Sequence, residues 1–161
     1  MRIISGKYRG RTITPPRNRR ARPTTDFAKE NLFNVLGNLV NFEDVDVLDL
    51  FSGTGSISYE FASRGAKSVT SVEVNAVHNA FIRKTAKELG FTTLYATHAN
   101  VFLYLKSCGK QFDVIFSDAP YDLEGSEEVI SLVLERNLLR EDGILIFEHS
   151  KDKKFDEHPN F

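Results

Sequence analysis

Cysteine is almost missing from this sequence. Cys108 stands alone among 161 residues, so no internal disulfide can form, and the chain suits a reducing compartment, expected to be the cytoplasm. Long apolar runs are missing too: no stretch reaches the roughly eighteen residues of a membrane span, and the opening MRIISGKYRG has no signal-peptide core, which predicts a soluble protein. His78, His98, His149 and His158 fall at no metal-ligand spacing, so no metal site is expected. Internal repeats, low-complexity tracts and the Gly-Lys-Ser/Thr step of a phosphate-binding loop are also lacking.

What is present is a globular composition, 41% hydrophobic and 27% charged, on a length that suits one domain and an expected monomer. The net charge of −1 conceals an asymmetry. Residues 1–30 carry Arg2, Lys7, Arg9, Arg11, Arg17, Arg19, Arg20, Arg22 and Lys29 against Asp26 and Glu30, a net of +7 that leaves −8 for the remainder. A basic arm on an acidic body is the distribution expected of a polyanion-binding attachment, because clustered arginines form charge-assisted bonds to phosphates and release counterions.

Ile3, Tyr8, Thr12 and Ile13 alternate with basic residues around Gly6 and Gly10, which predicts two short strands or a hairpin. Pro15, Pro16 and the arginine run make an irregular loop, closed by Pro23 and the helix caps Thr24, Thr25 and Asp26. In the helix that follows, Ala28, Leu32, Val35, Leu36 and Leu39 form the expected packing face. Residues 1–23 are thus expected to be a basic hairpin and loop, and 24–161 the main domain. From residue 45 short apolar runs alternate with helical stretches. Strands are predicted at 45–50, 68–74, 92–97, 112–117 and 143–148, with helices near 55–64, 76–89, 99–107 and 126–136. That alternation is the α/β class: a mostly parallel sheet, buried on both faces by helices.

Candidate chemistry gathers at strand ends. The first strand runs through Asp49, Phe51, Ser52, Gly53, Thr54 and Gly55 into a helix, placing a glycine turn at the carboxyl edge, where open α/β sheets bind ligands. Ser58 stands where a dinucleotide fingerprint has its third glycine, which disfavours a phosphate cradle. Glu73, at the tip of the second strand and followed by Val74 and Asn75, is placed to accept both hydroxyls of a ribose. Asp118, Ala119, Pro120 and Tyr121 follow the fourth strand. An exocyclic amine on a heteroaromatic ring is a poor nucleophile, and acceptors such as the Asp118 carboxylate and the Ala119 carbonyl can localise its lone pair while Tyr121 stacks on the base.

Together these segments resemble the amino-methyltransferases, whose catalytic motif is Asp/Asn-Pro-Pro-Tyr/Phe. Arg2 to Gly6, the Arg9-Gly10-Arg11 step and Arg22 to Asp26 are similar to one subfamily, the bacterial 16S ribosomal RNA guanine-N2 methyltransferases that modify the guanine numbered 966. The resemblance covers Arg2 to about Glu148. It implies a Rossmann-like class I methyltransferase fold, S-adenosylmethionine as cofactor, and the small ribosomal subunit as partner. By match, Asp49, Phe51, Gly53 and Gly55 line the cofactor, Glu73 holds its ribose, His98 and Ala99 meet the adenine edge, and Asp118 to Tyr121 hold the target amine. Two departures stand out. Ala119 replaces the first proline of the motif and loosens φ, and His98 sits where relatives place Asp or Asn. Methyltransferases of this fold usually add an antiparallel pair of strands after the fifth. Here 151–161 reads as a polar tail, and that pair is expected to be missing.

Alternatives remain at this stage. An adenine N6 or a protein glutamine N5 poses the same electronic problem, and a non-catalytic RNA-binding relative would carry the same arm. A cysteine-dependent pyrimidine methyltransferase fits poorly, because Cys108 lies near a helix end and away from the strand-end motifs.

Overall fold

The computed structural model of the protein describes residues 1–16, 24–120 and 122–148. Each of the five apolar runs expected as strands becomes one, its side chains drawn to both faces of the sheet. The five strands are β1 (Asp46–Leu50), β2 (Ser68–Glu73), β3 (Leu94–His98), β4 (Phe112–Asp118) and β5 (Leu139–Glu148). All pair in parallel, in the order β3-β2-β1-β4-β5. Val47 of β1 lies opposite Val69 of β2 and Val114 of β4.

Alternation along the strands supplies two cores. Val47, Val69, Val114 and Phe116 meet α1 (Asp26–Leu36), α2 (Ser56–Ser63), α3 (Ala76–Leu89) and the N-terminal Ile3 and Ile13. Leu48, Leu50, Val72 and Ile115 meet α4 (Val101–Ser107) and α5 (Glu128–Glu135) on the opposite face. The parallel order reverses between β1 and β4, so a crevice opens at their carboxyl ends. This Rossmann-like α/β fold is the one expected from the alternation. No described helix is long and apolar enough to cross a membrane.

Of two local expectations, one holds and one needs correction. Residues 2–13 form the expected hairpin in short form: the antiparallel Arg2–Thr12 bridge is flanked by bonds from Ile3 N to the Arg11 carbonyl at 2.9 Å, from Gly10 N to the Ile3 carbonyl at 2.8 Å and from Ile13 N to the Met1 carbonyl at 2.8 Å. The amides of Ile4 and Ser5 donate to the Glu60 carboxylate at 2.8 and 3.0 Å, and that of Lys7 donates to the Ser63 carbonyl at 2.8 Å. The packing face of α1 is rotated. Leu36 is buried and Leu32 packs on the core as expected, but Lys29 and Phe33 are buried beside them, Ala28 is exposed, and Val35 and Leu39 are each 60% exposed. The cause is an ion pair. Lys29, 1% exposed, lies 3.6 Å from Glu60 and donates to the Arg2 carbonyl at 2.6 Å and to Ser56 Oγ at 3.1 Å. Burial lowers its pKa against the opposing pull of Glu60. Lys29 is therefore an internal fastener, and it drops out of the basic surface that composition alone assigned to the arm.

Candidate active site

β1 ends in a turn that β2 holds in place. Ser52 N and Oγ both donate to the Val72 carbonyl, at 3.1 and 3.2 Å, and Ser52 Oγ lies 2.6 Å from Ser71 Oγ, which fastens the turn to β2. Within it Phe51 has φ 54°, a conformation a bulky residue keeps only under surrounding constraint, at a cost of about 1–3 kcal/mol. Gly53 follows at φ 57° with no atom within 4 Å of where a Cβ would stand, so the space above it is open. Gly55, at φ 94°, caps α2. A Cβ there would lie 2.6 Å from the Tyr59 ring, which restricts the position to glycine.

Asp49, 1% exposed, accepts the Ser58 hydroxyl at 2.6 Å. Burial, with the negative charges of Asp118 and Glu73 adding to it, pushes its carboxyl up to about 7. The Ser58 bond works in the other direction without offsetting burial. Ser58 was legible only as a glycine that is absent. Its role as the donor to Asp49 had no local signal.

Glu73 is buried and divides its carboxylate between the ends of two loops. Oε1 accepts from Gly53 N and Oε2 from Asn75 N, both at 2.8 Å. Each oxygen keeps a further lone pair. Asn75 caps α3 by accepting from His78 N at 3.0 Å, His98 Nε2 lies 2.9 Å from the Val74 carbonyl, and Ala99 N donates to the Glu73 carbonyl at 3.1 Å. The tips of β1, β2 and β3 are thus joined by hydrogen bonds centred on Glu73.

A cavity of about 170 Å³ sits at this edge, lined by Asp49, Phe51, Ser52, Gly53, Thr54, Ser56, Ile57, Phe116 and Asp118, with Met1, Pro15, Pro16 and Thr24 as its remaining wall. The loop after β1 and the carboxyl end of β4 therefore share one chamber. Glu73 is not on its wall and reaches it through the Gly53 amide, and the Val74, Asn75, His98 and Ala99 group lies beyond Glu73. Ala119 and Pro120 continue from Asp118 into a turn in which the Pro120 carbonyl accepts from Leu123 N at 2.9 Å. Arg9 and Arg11 are exposed on the N-terminal segment. Tyr121, Arg17, Arg19, Arg20 and Arg22 lie outside the described residues. The wall supplied by the N-terminal segment was missed in the sequence, since nothing local ties Met1 or Pro16 to a strand end over 30 residues away.

Sheet order, the glycine turn after β1 and the carboxylates at the strand tips define a class I methyltransferase fold. A solved structure of a candidate methylase from Haemophilus influenzae superimposes with a TM-score of 0.80 at 30% identity, covering 96% of this chain and 84% of that one. All of residues 1–161 match the family model described as conserved hypothetical protein 95. Ribosomal RNA small subunit methyltransferase D of Haemophilus influenzae is 34% identical over 95% of this chain and 80% of that protein, and its namesake in Buchnera aphidicola is 32% identical over 92% and 75%. The chain belongs to this family, that of the ribosomal RNA small subunit methyltransferases D.

Proposed function

We propose that this chain transfers the methyl group of S-adenosylmethionine to the exocyclic N2 of a guanine in 16S ribosomal RNA of the small subunit. The observation that carries the reading is the meeting of Asp49, the open glycine turn and Asp118 around one chamber. Family membership supports ribosomal RNA as the acceptor, in keeping with the names of the relatives.

The donor set suits the cofactor. Asp49 and Glu73 take hydrogen bonds from neutral groups, Ser58 Oγ for the first and backbone amides for the second, so both can answer a cationic ligand. Bound there, S-adenosylmethionine supplies a methyl group on a positively charged sulfur. Glu73 would accept the ribose hydroxyls with its remaining lone pairs. Phe51, Ser52, Gly53, Thr54 and Gly55 would bring backbone against the ligand, and Val74, Asn75, His98 and Ala99 would frame its adenine. If His98 Nε2 donates to Val74, Nδ1 is left as an acceptor.

On the acceptor side, the Asp118 carboxylate and Ala119 carbonyl would take the N–H groups of the amine, localise its lone pair and hold it in line. Pro120 stiffens the turn and Tyr121 stacks on a guanine splayed from its strand. Arg9, Arg11, Arg17, Arg19, Arg20 and Arg22 would hold phosphates, with 1–23 as the arm and 24–161 as the methyltransferase domain.

The test is methyl transfer from labelled S-adenosylmethionine to small subunits, naked 16S RNA and release factor, followed by mass spectrometry of the labelled nucleotide. N2-methylguanosine is expected. Label in adenine or in protein would reject the reading. Asp118→Ala should lower turnover by about a hundredfold or more and leave cofactor affinity nearly unchanged. An equal loss of both would remove Asp118 from its role.

A further inference from the structure

Phe27 is 74% exposed on the first turn of α1, the most exposed large hydrophobic side chain among the described residues. Its setting is not a random patch. At 100° per residue, Phe27, Asn31 and Asn34 fall within a narrow sector of α1, and Asn38 continues it in the turn beyond. All four are exposed. The buried residues Lys29, Phe33 and Leu36 face the other way. The stripe is uncharged, one aromatic ring followed by three primary amides, each able to donate and accept.

The stripe starts three residues after Thr24 of the chamber wall. Thr24, two residues before the helix, lines that chamber beside Asp49 and Asp118, and Asp26, next to Phe27, accepts the Arg2 amide at 3.0 Å. The stripe therefore begins three residues beyond the chamber wall and lies beside the basic N-terminal segment, where phosphates would be held.

We infer that this face of α1 is a subsite for unpaired RNA bases next to the target: Phe27 stacks on one base, and Asn31, Asn34 and Asn38 read the edges of the bases that follow. The inference rests on the RNA-methylating reading and adds to it the element that grips the flanking nucleotides. Arginines fix the backbone and carry no sequence information, whereas a ring and amides can reach bases that have left their stack. Val35 and Leu39 flank the stripe on one side, and a protein of the assembled particle is the competing occupant.

The test exploits a gap in the composition. The chain has no tryptophan, so Phe27→Trp installs a single indole on the face. Titration with a single-stranded oligoribonucleotide should quench its fluorescence, and the same oligomer annealed into a duplex should quench much less. In methyl transfer to naked 16S RNA, Phe27→Ala should raise KM for RNA about tenfold, as loss of one stacked base implies, with kcat and cofactor affinity held. Phe27→Tyr should restore wild-type KM and Phe27→Leu should not. Restoration by leucine, an unchanged KM for the alanine variant, or a defect confined to assembled subunits would overturn the subsite. Wild-type protein that methylates no RNA refutes the broader function instead, and the quenching titration still decides whether bases bind here.

Discussion

Replacing Asp49 by Asn should make the protein more stable, by an amount that grows with pH. The Asp49 carboxyl keeps its proton to a pH of about 7, against an ordinary value of 3.8, because burial and then the charges of Asp118 and Glu73 oppose ionisation. The native state thus retains a proton that the unfolded chain releases. Below both values Asp49 has no effect on stability, between them stability falls as pH rises, and above about 7 the loss levels off. At about 1.4 kcal/mol per pH unit, the full difference amounts to about 4 kcal/mol. Asparagine has no proton to lose, and its Oδ1 can accept the Ser58 hydroxyl in place of the carboxylate. The advantage of the variant over wild type should therefore increase by about 3 kcal/mol between pH 5 and pH 8, measured by urea unfolding of both proteins at matched ionic strength. On the proposed function the same titration governs the cofactor: affinity for S-adenosylmethionine should rise about tenfold from pH 6 to pH 8 in wild type and stay flat in Asp49→Asn. A stability gap that does not change with pH would refute the reasoning.

Gly6→Ala should detach the N-terminal segment, since the new Cβ would lie 2.1 Å from the Ser63 carbonyl oxygen at a φ of 91°. Hydrogen exchange at the Ile4 and Ser5 amides should become fast while the sheet stays protected, and retained protection would contradict this docking. Glu60→Gln should cost about 3–5 kcal/mol in urea unfolding, because it leaves the buried Lys29 charge uncompensated and weakens the 2.8 Å pair with Arg64. A loss below about 1 kcal/mol would show that the pair does not hold the segment. Arg17, Arg19 and Arg20 changed together to Ala should weaken RNA binding and reduce its salt slope by about three, and an unchanged slope would remove them from the interface.

The sheet was legible because its information is local. A run such as Phe112 to Phe116 is apolar at every position but one, which suits a strand covered on both faces, and the alternation of such runs with helical stretches points to a parallel sheet. The glycine turn was legible for the same reason: Gly53 and Gly55 sit directly between a strand and a helix. The rotated face of α1 was not, because Lys29 reads as a surface cation until Glu60, 31 residues away, is brought against it. Nor was the docking of the N-terminal hairpin, where the Ile4 and Ser5 amides donate to the Glu60 carboxylate. Of the site, the strand-tip positions followed from pattern. The Ser58 bond to Asp49 and the wall of Met1, Pro15, Pro16 and Thr24 depend on contacts that no local pattern records.

The two ends of the sheet treat acidic residues in opposite ways, and the contrast supports a cationic ligand. At the amino edge, Arg140 bridges Asp46 and Asp113 at 2.6 and 2.7 Å, and Ser68 donates to Asp46 at 2.6 Å. Burial works against ionisation there, yet the bonds from Ser68 and Arg140 hold the Asp46 carboxyl below its usual range. That is how a fold accommodates acids for stability alone. At the carboxyl edge, Asp49 takes the hydroxyl and a backbone bond of Ser58, Glu73 takes two amides, and burial, then the charges of Asp118 and Glu73, push Asp49 upward. An apolar residue at position 49 would avoid about 4 kcal/mol of loss at pH 8, and a glycine at position 51 would relieve the left-handed strain of Phe51. Both costs fall at the edge where the loop after β1 and the end of β4 line a chamber, and on the proposed function a bound sulfonium would relieve the electrostatic one by supplying the positive charge that the local hydrogen bonds withhold.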